Sequence, residues 1–266
     1  MKQVHSFTPD SSLRLFIRDY SFRCLALAEP RFIPSTKGNV LDIPIREVMP
    51  FQEKEGEFVS KSTPFLVGIQ TQHNRDLCLM PGLCMWAIQF EPYAAPFLFD
   101  IPTEHWANGI FSFDQDTKML SLQAELLSLV NPEEAVSLFN VYFKDLLRQK
   151  KAADIQRLQG LQLILAELEN PESSIGEVLE KSQVSERSLE RSFKQYMGLS
   201  PKEYLRHLRF LKLIELNPEL ERSGTYLTYE LGYFDQSHFI REFKHYTGMT
   251  PGAYAQSLKP IAELTY

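Results

Sequence analysis

A duplicated twelve-residue segment constrains this chain more than any other feature. Residues 193–204 read FKQYMGLSPKEY and residues 243–254 read FKHYTGMTPGAY, so six of twelve positions are identical at an offset of 50 residues. Chance would give on the order of one identity. A repeat of this kind indicates a duplicated supersecondary unit in the C-terminal part of the chain.

The residues around each repeat predict matching helix boundaries. In copy one, Ser185 can cap a helix that Gly198 ends, and Ser200 and Glu203 can form a capping box around Pro201. Copy two places the corresponding residues at Asp235, Gly248, Thr250 and Pro251. A shorter helix precedes each: in copy one it begins with a capping box at Ser174 and Glu177, and in copy two it ends near Gly232. Each copy therefore reads as helix, turn, helix.

These boundaries divide the C-terminal part into three predicted segments. Copy one covers about 174–196, a spacer helix covers about 201–216, and copy two covers about 225–246. On the spacer we expect Leu205, Leu208 and Leu211 to be buried. At 1.5 Å per residue the spacer is about 24 Å long, which would hold two recognition helices about one turn of DNA apart.

The outward face of each second helix carries residue types that read DNA. If Leu189 and Phe193 face the core, and Phe239 and Phe243 do so in copy two, charged and amide side chains face outward. Arginine suits guanine and glutamine suits adenine in the major groove. The candidate base contacts are Arg187, Glu190, Arg191, Gln236, Ser237, His238 and Arg241. The candidate phosphate contacts are Lys194, Lys202, Arg206, Arg209 and Lys244.

Total charge by itself does not favour a nucleic-acid partner. The formal net charge is −6; residues 1–150 hold 14 basic and 18 acidic residues, and residues 151–266 hold 14 and 16. The window 181–212, however, holds eight basic residues against three acidic ones. Copy two is locally neutral. We therefore expect copy one to supply more of any electrostatic affinity.

The N-terminal part has a different pattern. Short Val-, Ile-, Phe- and Leu-rich runs at 22–27, 40–48, 64–72, 77–80 and 85–90 predict the strands of a small sandwich or barrel. Pro44 inside one run indicates an edge strand or a bulge. We expect a helix over 11–20 and amphipathic helices over 116–130 and 132–148. The predicted fold class is α+β with two domains, 1–150 and 151–266, separated within several residues of 147–154.

The C-terminal segment resembles the DNA-binding domain of the AraC/XylS family of transcriptional regulators. The resemblance covers about 100 residues, is marked by GYFDQSHFIREFKHYTGMTPGAY from Gly232, and implies base contacts at the positions given above. Gln183 departs from the glycine usual in copy one, and Gly224 and Thr228 weaken the apolar face in copy two. The runs PFLVGIQTQ and MWAIQFEPYAAPFLF resemble the family's β-rich sensory domain, which implies a small effector or dimerisation.

The resemblance and the residues together predict a sequence-specific, DNA-binding transcriptional regulator that is not an enzyme. Its partners would be promoter or operator DNA, with RNA polymerase, a small-molecule effector and a second copy as further candidates. The alternative is a ligand-binding or protein-interaction protein whose helical domain no longer reads DNA. For the effector, candidate pocket residues are Phe65, Trp86, Phe90 and Tyr93, although alternating strand aromatics are more often core.

Other chemistry has little support in the sequence. Cys24, Cys78 and Cys84 are an odd number in a long chain, so we expect reduced, buried thiols rather than a disulfide framework. Histidines 73 and 105 with two of these cysteines match no common zinc spacing, and we expect no metal and no cofactor. The N-terminal residues lack a secretory signal and no apolar run approaches the roughly 20 residues of a membrane span, which favours the cytoplasm.

Overall fold

The computed structural model describes residues 3–24, 31–32, 37–46, 49–52, 58–73, 78–79, 84–103, 106–170, 174–216 and 235–262. Its strands are β1 (Gln3–Phe7), β2 (Ile17–Cys24), β3 (Arg31–Phe32), β4 (Val40–Arg46), β5 (Met49–Gln52), β6 (Phe58–Lys61), β7 (Phe65–Val67), β8 (Cys78–Leu79), β9 (Cys84–Phe90) and β10 (Ile110–Ser112). Its α-helices are α1 (Ala94–Phe99), α2 (Thr117–Ser128), α3 (Pro132–Arg148), α4 (Ala152–Leu168), α5 (Ile175–Ser182), α6 (Glu186–Met197), α7 (Pro201–Leu216), α8 (Gln236–Thr247) and α9 (Pro251–Ala262).

An antiparallel sheet forms the centre of the N-terminal domain. Its six strands run in the order β1-β2-β9-β4-β7-β10, and two small sheets pair β3 with β8 and β5 with β6. One row across the large sheet aligns Tyr20, Ile88, Leu41 and Leu66, all fully buried. Helix α3 covers this face, with the Phe139 ring 5.1 Å from the Tyr20 ring. The predicted α+β fold with a β-rich N-terminal part and a helical C-terminal part is confirmed.

The helix expected over 11–20 is wrong. A single 3-10 turn at Ser11–Leu13, capped by the Asp10 carboxylate, leads into β2 at Ile17. The apolar residues chosen for one helix face, Leu13, Phe16, Ile17 and Tyr20, are nevertheless all buried. A tight turn followed by a strand brings the same residues to the core, so apolar spacing over ten residues did not distinguish it from a helix.

Pro44 marks a bulge in an interior strand, not an edge strand. Strand β4 pairs with β9 on one side and β7 on the other, and its register with β9 shifts between Pro44 and Arg46. A bulge accommodates the missing proline N–H without removing the strand from the sheet.

Two of the cysteines are bonded to each other, so the expectation of reduced thiols is wrong for this pair. Cys24 on β2 lies directly opposite Cys84 on β9, and they form a disulfide. The two positions are 60 residues apart in sequence. Only the pairing of β2 with β9 brings them together, and nothing in the cysteine spacing indicates that pairing.

The helical part packs directly on the β-rich part. Helix α3 ends at Arg148 and α4 begins at Ala152, within the stretch where the domain boundary is predicted. One apolar core extends from the sheet residues through Leu158 and Leu161 of α4 to Phe193 of α6 and Tyr204 of α7. A second, smaller core joins α7 to α8 through Phe210, with Leu213, Phe239, Phe243 and Tyr246 as its other members.

Candidate nucleic-acid interface

Helices α5 and α6 form the first helix-turn-helix unit. The Ser174 hydroxyl accepts a hydrogen bond from the Glu177 N–H, and the Glu177 carboxylate accepts one from the Ser174 N–H, so the predicted capping box is present. The bonds that the Glu177 carboxylate accepts from the Ser174 N–H and the Ser174 hydroxyl hold the pKa of Glu177 below its usual range. The turn begins at Gln183, whose φ of 54° lies in the left-handed region that favours glycine.

Helix α6 has a buried face and an exposed, charged face. Ser185 caps it by accepting from the Ser188 N–H, and Gly198 ends it at φ 71°, both as predicted. Leu189 and Phe193 are buried. The exposed residues are Arg187, Glu190, Arg191 and Lys194, so the side chains named for DNA contact all reach solvent.

Helix α7 connects the two units and is fixed at its start by a capping box. The Ser200 N–H donates to the Glu203 carboxylate at 2.7 Å, and the Glu203 N–H donates to the Ser200 hydroxyl at 3.2 Å. Burial acts to raise the pKa of Glu203, but the hydrogen bonds from Ser200 and the nearby Lys194 ammonium outweigh it and lower the pKa. The predicted spacer helix over 201–216 is therefore present with its predicted cap.

The buried stripe of α7 is displaced from the predicted one. Leu205, Leu208 and Leu211 are only partly buried, whereas the fully or nearly fully buried residues are Tyr204, His207, Phe210 and Leu213. The leucines alone suggested a continuous face, but the aromatic rings fill more of the space between α6 and α8. The cations at Lys202, Arg206 and Arg209 are exposed.

Helix α8 is the helix that was predicted as the second recognition helix. Asp235 caps it by accepting from the His238 N–H at 2.6 Å, and Gly248 ends it at φ 73°. Its exposed residues include Gln236, Ser237, Arg241 and Lys244, and His238 is partly buried. The predicted helix before it, near 225–232, lies outside the described residues.

A buried carboxylate links α8 to α7. The side chain of Glu242 is 2% exposed, and its Oε2 accepts from Arg206 Nε at 2.8 Å. The His238 Nε2 lies 3.7 Å from the same oxygen. Arg206, named above as a phosphate contact, is thus already engaged inside the protein, with 47% of its side chain exposed.

One feature of the sequence indicates a partner for Glu242, although no ion pair was predicted there. Glu242 lies between the inward-facing Phe239 and Phe243, which places a carboxylate on the core side of the helix. The corresponding residue of copy one is Ser192. A buried carboxylate needs a cation as its partner, and α7 is a nearby helix that carries several cations.

The four candidate effector residues do not line one space. The rings of Trp86 and Phe90 pack on α3, at 5.2 Å from Phe139 and 5.6 Å from Phe143. Tyr93 is buried as well, and its hydroxyl donates to the Leu15 carbonyl. Phe65 pairs in register with Asp42, which lies on the opposite face of the sheet from Trp86 because adjacent strand residues alternate. Trp86, Phe90 and Tyr93 are core residues of the α3 side.

The opposite face of the sheet holds unpartnered polar atoms. A row across five strands aligns Ser21, Ala87, Asp42, Phe65 and Ser112. In the described part of the chain, Asp42 Oδ1 and Ser112 Oγ are buried without a hydrogen-bond partner. Burial raises the pKa of Asp42 to about 7 despite the guanidinium of Arg23 nearby.

No group of three or more histidine, cysteine or acidic side chains among the described residues is arranged to hold a metal ion. The helices of the described ranges are all too short or too polar to span a bilayer.

Comparison with known sequences identifies the helical domain. Residues 178–257 match the profile of a helix-turn-helix domain family. The HTH-type transcriptional activator RhaS of Escherichia coli O6:H1 (strain CFT073) is 29% identical over 183 residues, and RhaS of Escherichia coli strain SE11 is 30% identical over the same length. Each alignment covers 63% of this chain and 65% of the relative, so about a third of each relative has no counterpart in the alignment.

Solved structures give only a remote likeness. ToxT from Vibrio cholerae superposes with a TM-score of 0.45 at 10% identity, covering 96% of this chain and 97% of the other. Unsaturated fatty acid-bound ToxT from Vibrio cholerae strain SCE256 gives 0.43 at 12% identity, covering 96% and 94%. Residues 178–257 therefore match a helix-turn-helix domain, and over 183 residues the chain is similar to the RhaS transcriptional activators.

Proposed function

We propose that the chain is a sequence-specific DNA-binding transcriptional regulator, not an enzyme, and that it acts in the cytoplasm. The observation that carries the proposal is the face of α6 on which Arg187, Glu190 and Arg191 are exposed, together with the further exposed cations of α7. A recognition helix places such side chains against base edges, while neighbouring lysines and arginines neutralise phosphates. The RhaS relatives are transcriptional activators by name.

The first test is selection from a random duplex library with the full-length protein, followed by a salt titration on the selected sequence. We expect a motif with two blocks about one helical turn apart, and a log–log slope of about −0.9 per phosphate contact. RNA polymerase recruitment would then be tested on a promoter that carries the motif. Failure to enrich any sequence at low salt, with the protein folded, would favour the alternative of an interaction protein that no longer reads DNA.

A single substitution separates base reading from phosphate binding. Arg191→Ala should cost about 1–3 kcal/mol on the selected motif and relax specificity at one position, because a bidentate contact to one base is lost. Lys202→Ala should weaken binding to all sequences alike and reduce the salt slope by about one. Arg148→Ala, an exposed arginine at the end of α3, is the matched control and should change neither. Equal losses for Arg191→Ala on specific and random DNA would exclude its role in base reading.

We further propose that the N-terminal domain modulates DNA binding through a small polar molecule or through dimerisation. The buried oxygens of Asp42 and Ser112 favour a ligand with hydrogen-bond donors, since an unpartnered buried acceptor is costly. Exposed apolar side chains on α2 and α3 favour a second copy. A thermal-shift screen of polyols and amines, with Asp42→Asn as the variant that should lose the response, tests the ligand.

A further inference from the structure

Both recognition helices end against the N-terminal domain. At the end of α6, the Thr103 hydroxyl donates to the Lys194 carbonyl at 3.0 Å. The same carbonyl accepts the capping N–H of Gly198 at 3.2 Å. A Cβ atom at Gly198 would lie 2.5 Å from the Thr103 carbonyl oxygen, so backbone meets backbone at this turn.

The second helix is held in the corresponding turn. The His73 N–H donates to the His245 carbonyl in the last turn of α8 at 2.8 Å. A Cβ atom at Gly248 would lie 2.6 Å from the His73 imidazole. Gly248 is the copy-two equivalent of Gly198, so the N-terminal domain contacts the two repeats at equivalent positions.

The two contact points belong to one hydrogen-bonded unit, which we call the bracket and define as residues 68–73, Thr103 and residues 106–109. Asn108 is its hub: its N–H donates to the Ile69 carbonyl at 2.9 Å, and its Oδ1 accepts from the Thr71 N–H at 2.7 Å. The Asn108 amide group donates back to the Thr71 hydroxyl at 3.0 Å. Thr71, two residues before His73, is therefore hydrogen-bonded to Asn108 in the segment that follows Thr103.

The bracket is anchored in the N-terminal core. Trp106 is fully buried, and its indole Nε1 donates to the Asn39 side chain at 3.0 Å. The Gly68 N–H donates to the Gly109 carbonyl at 3.0 Å, and a Cβ atom at Gly68 would lie 2.1 Å from the Trp106 carbonyl oxygen. The Trp106 N–H in turn donates to the Thr103 carbonyl at 3.2 Å, which connects Thr103 to this anchored part of the bracket.

The contacts of the bracket supply hydrogen-bond donors to the helix ends and also connect α6 to α8 by a second route. The last carbonyls of a helix have no partner within the helix, and here the His73 N–H supplies a donor to the His245 carbonyl. The Lys194 carbonyl, which already accepts from Gly198, takes a second bond from the Thr103 hydroxyl. Helix α7 contacts α6 through the Phe193 and Tyr204 rings and α8 through the ion pair of Arg206 with Glu242. The bracket provides a second connection, so that α6, α7, α8 and the bracket form a closed circuit of contacts.

We propose that Thr103 and His73 are positioning residues that set the separation of the two recognition helices, and through it the number of base pairs between the two halves of the DNA site. The inference rests on the proposed function and deepens it. Each base pair added between the halves moves them about 3.4 Å apart and rotates them by about a tenth of a turn. Recognition helices held in a closed circuit should bind DNA of altered spacing weakly. Recognition helices connected by α7 alone should adapt to the altered spacing more easily.

The test measures how binding depends on the spacing of the two blocks. Full-length protein is titrated against the selected duplex and against duplexes with one or two base pairs inserted or removed between the blocks. Thr103→Val removes the hydroxyl with little change of shape, and Asn108→Gly removes the side-chain bonds of the hub while it keeps the left-handed backbone at φ 64°. Ser137→Ala, which removes a hydroxyl bond to the Glu133 carbonyl within α3, is the matched control.

We expect the variants to bind the original spacing with near wild-type affinity and to lose discrimination against the altered spacings by about threefold to tenfold, the range of one or two net hydrogen bonds. Ser137→Ala should keep the wild-type spacing profile. If a substitution unfolds the protein, as thermal melting would show, His73→Ala tests the α8 contact in the same assay, because it removes the imidazole that lies against Gly248 while the backbone bond to His245 remains. An unchanged spacing profile in the folded variants would overturn the inference while the proposed function stands; wild-type protein that selects no motif would instead overturn the proposed function, and the inference with it.

Discussion

At the scale of single residues, the turn of the first helix-turn-helix unit carries an avoidable cost. Gln183 adopts a left-handed backbone at φ 54°, which a side chain with a Cβ disfavours by about 1–2 kcal/mol. Glycine pays no such cost, although it is more flexible in the unfolded chain. The turn is therefore formed by the packing of α5 and α6 around it rather than by its own preference.

Gln183→Gly should stabilise the protein by about 0.5–1 kcal/mol, because the relief of the left-handed conformation exceeds the added entropy of the unfolded state. Urea unfolding of the full chain measures the change. Gln149→Gly is the matched control, since Gln149 ends α3 in the ordinary helical region at φ −81°, and it should destabilise. A loss of stability in Gln183→Gly as large as that of the control would show that the turn tolerates glutamine without strain.

Asp42 gives a pH dependence at the same scale. Its folded-state pKa is raised to about 7 by burial, above the value of 3.8 expected for an unfolded aspartate. The folded state therefore binds a proton more tightly, and the free energy of unfolding should fall as pH rises from about 4 to about 7, by up to about 4 kcal/mol. Asp42→Asn should be more stable than wild type at pH 8 and similar to it at pH 4.

Urea unfolding at both pH values checks this expectation. Asp114→Asn, at an exposed position, is the control and should show no comparable gain at pH 8. The same gain at pH 4 and pH 8 would mean that packing of the amide, and not the charge of Asp42, explains the difference.

At the scale of elements, the ion pair of Arg206 with Glu242 adds to the apolar contacts that hold α8 against α7. Removing one partner of a buried pair leaves the other uncompensated, which costs more than replacing both. Arg206→Ala should destabilise the protein by about 2 kcal/mol, a value reduced from the range for fully buried pairs because Arg206 is 47% exposed. The double variant Arg206→Ala, Glu242→Gln should recover part of the loss. Urea unfolding of the two single variants and the double variant gives the coupling.

Local signals account for most of the helical elements. Ser174, Ser185, Ser200 and Asp235 each cap the helix that they were expected to cap, because capping depends on residues three or four positions away. The contacts that join elements could not be predicted in this way. The ion pair of Arg206 with Glu242 spans 36 residues and the disulfide spans 60, so neither follows from local sequence. The placement of the four effector candidates could not be predicted either, because which face of a strand is covered depends on the order of strands in the sheet.

At the scale of the whole molecule, the most exposed apolar side chains among the described residues of the N-terminal domain lie on α2, on α3 and between them. Val130, between the two helices, is 96% exposed, Val141 on α3 is 67% exposed, and Leu127 on α2 is 55% exposed. Val141 lies on the side of α3 that points away from the sheet, since Phe139 and Phe143 face it. A second copy of the chain would bury these side chains. Because a dimer carries two DNA-binding domains, its DNA site would then contain the whole motif twice.

Val141→Glu should shift the sedimentation of the protein towards the monomer, because it places a charge in the proposed interface. Leu163→Glu is the matched control, since Leu163 is an exposed apolar residue on α4. Sedimentation velocity over a range of concentrations distinguishes the two. A monomer at all concentrations for wild type, or a dimer unaffected by Val141→Glu, would exclude this surface.

The close contacts of Thr103 with Gly198 and of His73 with Gly248 limit which N-terminal domains can replace this one in a chimeric protein. A chimera joined near residue 150 would present a foreign loop to Gly198, where a carbonyl oxygen already occupies the space of a side chain. A foreign N-terminal domain should therefore support DNA binding only when its own loops are long enough to contact the ends of α6 and α8. Otherwise residues 68–73 and 103–109 have to be transferred together with the helical half. The unit of exchange is then larger than the helical domain: it includes the loops on which the ends of its recognition helices rest.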